Sequence, residues 1–157
     1  MTDIHEHHAQ LRSWAKGIHG LEAATELLIR GFNGRFADPG CPWVHPTASG
    51  HWIDFDAIPE QTGALSGGEQ RFLQIAAALS DGDTMVNLGR CLAGLDRRHV
   101  QLVLAAVAHA SGTHEHQEIA FGPDGTVGFT RPGAIYRWDQ PAPPSAGNSC
   151  RQSELDR

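Results

Sequence analysis

The chain has 157 residues, of which 40% are hydrophobic, so it is long enough to form one domain with a buried core. Its net charge of −6 and its scattered arginines argue against sequence-general nucleic-acid binding, which needs cations along one face to displace counterions from phosphate. No run approaches the ~20 apolar residues of a membrane span, and the N-terminus lacks the basic and apolar regions of a secretory signal. A cytoplasmic location is therefore expected.

Residues 9 to 34 are predicted to form two short helices, because apolar side chains recur there at i, i+3, i+4 and i+7. The second helix is expected to end at Gly31 or Gly34, since glycine commonly follows the last helical residue. Residues 33 to 50 contain several glycines and prolines, which predicts a long loop that Trp43 anchors to the core.

A half-buried β-strand is predicted over residues 51 to 58, where HWIDFDAI alternates between apolar and polar side chains. Ile53 and Phe55 are expected on its buried face. The side chains on the opposite face are Trp52, Asp54 and Asp56.

Two strong helices follow. The first begins after the stretch LSGGEQR at residues 65–71 and ends at Asp81-Gly82. Residues 85–88 form either a strand or a tight connection, and Asp96 is expected to cap the second helix, which stops near Gly112. The predicted inner stripe of that second helix is Val100, Val103, Leu104 and Val107.

The last part of the domain is predicted to contain two strands around the turn sequence Pro123-Asp124-Gly125, with a third over residues 134–139. Residues 141–157 have little to bury and are expected to be a disordered tail. The fold class is therefore α+β, with about four helices packed on a small, mainly antiparallel sheet in a single domain over residues 1–140.

The stretch LSGGEQR has the composition of a capped helix start. Ser66 is expected to cap the helix, and Glu69 three residues later completes a capping box. Gly67 and Gly68 leave backbone N–H groups uncovered at the positive end of the helix dipole, where an anion can bind. The four residues from Ser66 to Glu69 are thus either a phosphate-binding helix start or a helix cap alone.

LSGGEQRFLQIAAAL, followed by MVNLGRCLAGLD and a further helix, resembles the ABC-type ATPases over residues 65–111. In that family the signature helix is followed by the Walker B segment and an LD-containing D-loop, which Leu95-Asp96 would match. The resemblance implies contact with a phosphate held by a partner subunit. Gly89 and Arg90 stand where the family has its acidic pair, however, and no GxxxxGK[ST] loop is present. Autonomous ATP hydrolysis is therefore not expected.

Metal binding is a further hypothesis. His114 and His116 would point the same way in an extended segment, and Asp54 and Asp56 would share a strand face, so each pair could supply two ligands. These four residues are the candidates for a metal-dependent enzyme. Solvent-exposed polar faces are the alternative explanation for both pairs.

Trp43, Trp52 and Trp138, which have arginine neighbours, are candidates for a protein-binding surface, because tryptophan and arginine are favoured at interfaces. The leading hypothesis is a small, cytoplasmic, non-catalytic interaction domain that needs no cofactor and binds an unidentified protein partner. The alternative is a phosphate- or nucleotide-binding protein related to the signature half of the ABC ATPases, incomplete without a partner. A metal-dependent enzyme is the third hypothesis.

Overall fold

The computed structural model describes residues 3–80 and 82–139, and within them it has six α-helices and two antiparallel hairpins. The helices are α1 (Ile4–Ala15), α2 (His19–Arg30), α3 (Ile58–Gln61), α4 (Gly67–Leu79), α5 (Leu88–Leu92) and α6 (Arg97–Ala110). The strands are β1 (Val44–Thr47), β2 (Gly50–Ile53), β3 (Glu118–Phe121) and β4 (Val127–Thr130). The α+β class with four long helices is confirmed, but the strands form two small sheets rather than the single predicted one. The predicted disordered tail, residues 141–157, lies outside the described residues.

Helices α2, α4 and α6 form the centre of the core, where α2 packs against both of the others. The buried face of α2 includes Ala23 and Ala24, whose small side chains allow close approach of a neighbouring helix. Phe72 of α4 is fully buried, and its ring packs edge-on against the rings of Phe32 and His99. Burial of a side chain of this size contributes about 1.5–3 kcal/mol to stability.

Helix α6 begins and ends as predicted but buries a different face. Asp96 accepts a hydrogen bond from the His99 N–H at its start, and Gly112 has a left-handed conformation (φ 68°) just beyond its end. The predicted stripe is correct at Val103, which is 2% exposed, but wrong at Leu104 and Val107, which are 47% and 44% exposed. The buried residues are His99, Leu102, Val103, Ala105 and Ala106. This face includes two alanines, whose small side chains allow close approach to the alanine-rich face of α2.

The predicted strand over residues 51–58 ends at Ile53, and its partner β1 lies in the segment predicted as a loop. Ile53 pairs with Val44, and both side chains are buried. After Ile53 the chain turns, and the Asp54 carboxylate accepts the backbone N–H of Ala57. Trp43 is 3% exposed and donates its indole N–H to the Phe36 carbonyl oxygen at 2.8 Å, which confirms that it anchors this segment to the core.

The connection between α4 and α6 contains no strand in its described residues. The Asn87 side chain accepts the backbone N–H of Arg90 at 3.1 Å and so caps the short helix α5 instead. Asp81, the predicted stop of α4, lies outside the described residues, and α4 ends at Leu79 with Ser80 as its C-cap.

Strands β3 and β4 form the hairpin that the turn sequence predicts. Asp124 accepts hydrogen bonds from the backbone N–H and the hydroxyl of Thr126, which close the turn locally. The predicted third strand over residues 134–139 is not formed. That segment returns to α2, where Arg30 binds the Asp139 carboxylate at 2.8 Å and lies over the Trp138 ring. No helix among the described residues is long and apolar enough to cross a membrane.

Candidate functional site

The start of α4 forms the predicted capping box. The Ser66 hydroxyl accepts the Glu69 backbone N–H at 3.4 Å, and the Glu69 carboxylate accepts the Ser66 backbone N–H at 2.9 Å. Arg35 binds the second carboxylate oxygen of Glu69 at 2.6 Å. The hydrogen bond from the Ser66 backbone holds the pKa of Glu69 below its usual value, so this helix start has its own bound anion near neutral pH.

The two glycines of LSGGEQR have different surroundings. A side-chain methyl at Gly67 would meet no heavy atom within 4 Å, whereas one at Gly68 would lie 3.3 Å from the carbonyl oxygen of Gly94. A phosphate near Gly68 would therefore approach both that oxygen and the Glu69 carboxylate, which repel an anion. These contacts favour the capping role of Ser66 to Glu69, and phosphate binding there stays a prediction.

Asp96, the residue that matches the D-loop, forms a carboxylate–histidine pair with His99. Its second oxygen lies 2.8 Å from His99 Nδ1, and the Phe32 backbone N–H donates to His99 Nε2 at 3.2 Å. The Phe32 ring also stacks on the imidazole, with the ring centres 4.0 Å apart. Both ring nitrogens of His99 are engaged within the fold, so the pair joins α6 to the segment that follows α2.

The four predicted metal-binding residues do not come together. Asp54 and Asp56 lie in the turn that follows β2, and His116 is exposed after a 3₁₀ turn over Thr113–Glu115. The extended conformation expected for His114 and His116 is therefore wrong, since the chain curls before His116. Among the described residues, one group of three or more histidine, cysteine, aspartate and glutamate side chains has all its ligand atoms within 4.8 Å of one another: His19, His114 and Glu115.

The three predicted interface tryptophans occupy different environments. Trp43 is buried, so its proposed place on an exposed surface is corrected. Trp52 is half-buried against the rings of His45 and Trp14. Trp138 is half-buried beneath Arg30, whose charged carbon lies 5.5 Å from the ring centre.

The β3–β4 hairpin exposes an apolar face that the sequence analysis did not identify. Ile119 pairs with Phe129 and Phe121 pairs with Val127, so all four side chains lie on one face. They are between 59% and 76% exposed, and we call this face the hairpin patch. The alternation of apolar residues in EIAF and VGFT predicts the strands. The sequence does not indicate whether another element covers these strands, since the same pattern is typical of a strand packed on a core.

Comparisons of the chain with models of known protein families, with curated proteins and with solved structures gave no match.

Proposed function

We propose that this chain is a non-catalytic interaction domain that binds a partner protein through the hairpin patch. The observation that supports the proposal is the exposure of Ile119, Phe121, Val127 and Phe129 on one face of a two-stranded sheet. A two-stranded hairpin is only marginally stable in water, and contiguous apolar surface of this kind marks a binding site in monomeric proteins. A partner that covers the patch would remove four large side chains from water.

The size of the hairpin patch fits the centre of a protein–protein interface. Two phenylalanines, an isoleucine and a valine exposed to this extent present on the order of 500 Å² of surface. A stable interface buries about 800 Å² on each partner, with an apolar centre and a polar rim. The patch would supply the apolar centre, and the polar residues of the hairpin would supply part of the rim.

Charge favours a different protein over a second copy of this chain as the occupant. Each copy has a net charge of −6, so two copies repel each other on approach. The exposed charged residues at the hairpin include two acidic ones, Glu118 and Asp124, and one basic one, Arg131. These three leave the rim of the hairpin patch with a negative net charge. The partner is therefore expected to present an apolar surface flanked by lysine or arginine, because complementary charge speeds association and selects the partner.

The experiment compares the parent with the double variant Phe121→Ser/Phe129→Ser and with the control Leu104→Ser. Leu104 is an exposed leucine on α6, outside the patch. Proteins captured from a cell extract by the parent are identified, purified separately and titrated against all three proteins by calorimetry. We expect one purified protein to bind the parent and the control equally, and the double variant at least ~30-fold more weakly, since interface hot spots contribute 2 kcal/mol or more.

Two results would contradict this function. Sedimentation of the parent and of the double variant, each without a partner, tests self-association: a dimer of the parent that the double variant does not form would assign the patch to a second copy. Equal binding of the purified partner by the parent and the double variant would place the interface elsewhere on the surface. Thermal melting of all three proteins is the control for folding, and exposed positions of this kind are expected to change stability by no more than about 0.5 kcal/mol.

Phosphate or nucleotide binding at α4 is the second candidate, and the open space around Gly67 is the observation in its favour. A ligand present at 100 times its Kd stabilises a fold by about 2.7 kcal/mol, which a melting curve detects readily. Melting the parent with and without ATP–Mg²⁺ or inorganic phosphate separates this candidate from the first. A rise in the melting temperature that Gly67→Ala removes would support binding at the signature stretch.

A further inference from the structure

Two segments that are distant in the sequence meet at one end of the α2–α6 helix pair. His19 is the first residue of α2, and the 3₁₀ turn Thr113–Glu115 follows the end of α6. Gly112 makes the close approach possible, because a side-chain methyl there would lie 2.8 Å from His19 Nδ1. Its left-handed φ of 68° also turns the chain so that His114 and Glu115 follow directly beside His19.

The side chains in this place form a compact set of metal-ligating atoms. His19 Nε2 lies 3.2 Å from Glu115 Oε2, and the rings of His19 and His114 are 5.1 Å apart. The ligand atoms of all three residues lie within 4.8 Å of one another. Two ligands of a tetrahedral zinc ion, each about 2.0–2.1 Å from the metal, are separated by ~3.3 Å. The His19–Glu115 pair already has this separation, and the half-exposed His19 and exposed Glu115 side chains have room to rotate toward His114.

An unsatisfied nitrogen supports the presence of a ligand. His114 Nδ1 is buried and has no hydrogen-bond partner among the described residues. A buried polar atom left without a partner costs free energy, and coordination to a metal ion would satisfy it.

A second layer holds these ligands in place. The His109 ring stacks on His114 with the ring centres 4.6 Å apart, and its Nε2 lies 2.7 Å from the Glu22 carboxylate. Glu22 also accepts the Gly17 backbone N–H at 2.9 Å. Carboxylate–histidine pairs of this kind are a common support behind metal ligands, because they restrict the orientation of the ring. Here His109 restricts the orientation of His114 by stacking on it.

We propose that His19, His114 and Glu115 bind one divalent transition-metal ion. Two imidazole nitrogens and one carboxylate oxygen form a donor set that zinc prefers, and Cu²⁺ and Ni²⁺ also favour imidazole. The fourth position is open to solvent, since the Glu115 side chain is 61% exposed. The bound ion joins α2 to the turn from which β3 starts three residues later, so it fixes the base of the hairpin relative to the helices.

Calorimetric titration of the intact chain with Zn²⁺ alone tests the site. His114→Ala and His19→Ala each remove a ligand, and Glu115→Gln removes the carboxylate at an exposed position where folding is not at risk. His116→Ala is the matched control, because His116 is exposed, lies two residues from His114 and belongs to no such group among the residues that the structure describes. A second control, His5→Ala/His8→Ala, removes histidines of the N-terminal cluster that could bind zinc independently. Thermal melting without metal confirms that each variant folds.

We expect one equivalent of Zn²⁺ to bind the parent and both controls equally, and each ligand variant to bind at least ~10-fold more weakly, as expected when one of three ligands is lost. Co²⁺ in place of Zn²⁺ is expected to give the absorption bands of a low-coordinate site in the parent, and weaker bands in Glu115→Gln. Two results would overturn the proposal: no saturable binding by the parent, or binding that is lost in His5→Ala/His8→Ala and kept in His114→Ala. Neither result depends on the partner-binding function of the hairpin patch.

Discussion

The two hairpins of this protein have strands of the same length and antiparallel pairing but opposite surroundings. Each has two antiparallel strands of four residues. The β1–β2 hairpin packs on α1 and buries Val44 and Ile53 in the core. The β3–β4 hairpin leaves its paired Ile119 and Phe129 exposed to solvent. Two hairpins with equal strands therefore have different roles: the first stabilises the fold through its buried side chains, and the second presents an apolar surface.

The difference lies in what closes each hairpin. In β3–β4, Asp124 bonds to Thr126 and the backbone N–H of Gly122 bonds to the Thr126 carbonyl, so the turn is closed by residues within five positions. In β1–β2, Gly50 has a φ of 149° and lies against the Gln10 side chain of α1. The first hairpin thus contacts a distant helix in addition to its own turn, whereas the second depends on its own turn. Four predictions follow from this contrast, in order of decreasing effect.

The largest effect is expected from truncating one isoleucine in each hairpin. Ile53→Ala removes a side chain that is 2% exposed and leaves a cavity, which should lower the free energy of unfolding by about 2–5 kcal/mol. Ile119→Ala truncates a side chain that is 59% exposed, so it should change the free energy of unfolding by no more than about 0.5 kcal/mol. Urea unfolding of both variants measures the difference. Equal losses would mean that β3–β4 is packed in solution and that the contrast between the hairpins is wrong.

Replacing one turn glycine in each hairpin by alanine tests whether the two turns contribute differently to stability. A methyl at Gly50 would lie 3.0 Å from the Gln10 side chain in addition to the backbone strain, so Gly50→Ala should cost about 1–3 kcal/mol. Gly125 has a φ of 78° and open space around it, so Gly125→Ala should cost only the left-handed backbone penalty of about 1 kcal/mol. Thermal melting of both variants measures which substitution causes the larger loss of stability. A larger loss for Gly125→Ala would show that the second turn matters more to the fold than the first.

Features determined by neighbouring residues could be predicted from the sequence. They include the capping box of Ser66 and Glu69, the Asp96 cap, the left-handed Gly112 and the turn at Pro123–Gly125. Each depends on contacts within about five positions, where residue type determines geometry.

Features that depend on distant packing could not be predicted. The buried face of α6 follows from the shape of α2, and β1 exists because it pairs with Ile53 and its neighbours across a turn. The His19–His114–Glu115 group joins residues 95 positions apart (114 − 19), for which no local pattern exists. His114 stands out from its local histidine spacing, but the pairing with His116 that an extended segment would give does not form, because the chain curls at residues 113–115.

The cap of α4 is a third local feature, and its contribution to stability can be compared with that of the two hairpin turns. Ser66→Ala removes the acceptor for the Glu69 backbone N–H and should cost about 1 kcal/mol, a loss similar to that of the locally closed Gly125 turn. Gly67→Ala, with open space around the added methyl, should be neutral or stabilise the helix by up to about 1 kcal/mol. Urea unfolding measures both. A loss above 2 kcal/mol for Ser66→Ala would mean that this stretch does more than cap α4.

The smallest effect concerns pH, and it originates at the first hairpin. Burial, followed by the charge of His7, lowers the pKa of His51 in β2, and burial, Arg12 and His7 lower that of His8 in α1. The unfolded chain binds these protons near pH 6.5, whereas the folded chain binds them only at lower pH. The unfolded state therefore holds more protons in that window, so the free energy of unfolding falls as pH decreases below 6.5 and is constant above it.

Melting the parent between about pH 7.5 and pH 5.5 should show this loss, and His51→Gln should flatten part of it. The lowered pKa of Glu26, where hydrogen bonds from Arg12 and Arg30 outweigh the opposing effect of burial, acts in a different range. Its stabilisation is present above pH 4.5 and is lost only below it, so the carboxylate does not interfere. Strands β3 and β4 and the turn between them contain no histidine, so a pH dependence that His51→Gln leaves unchanged would have to come from elsewhere, with His8 as the first candidate.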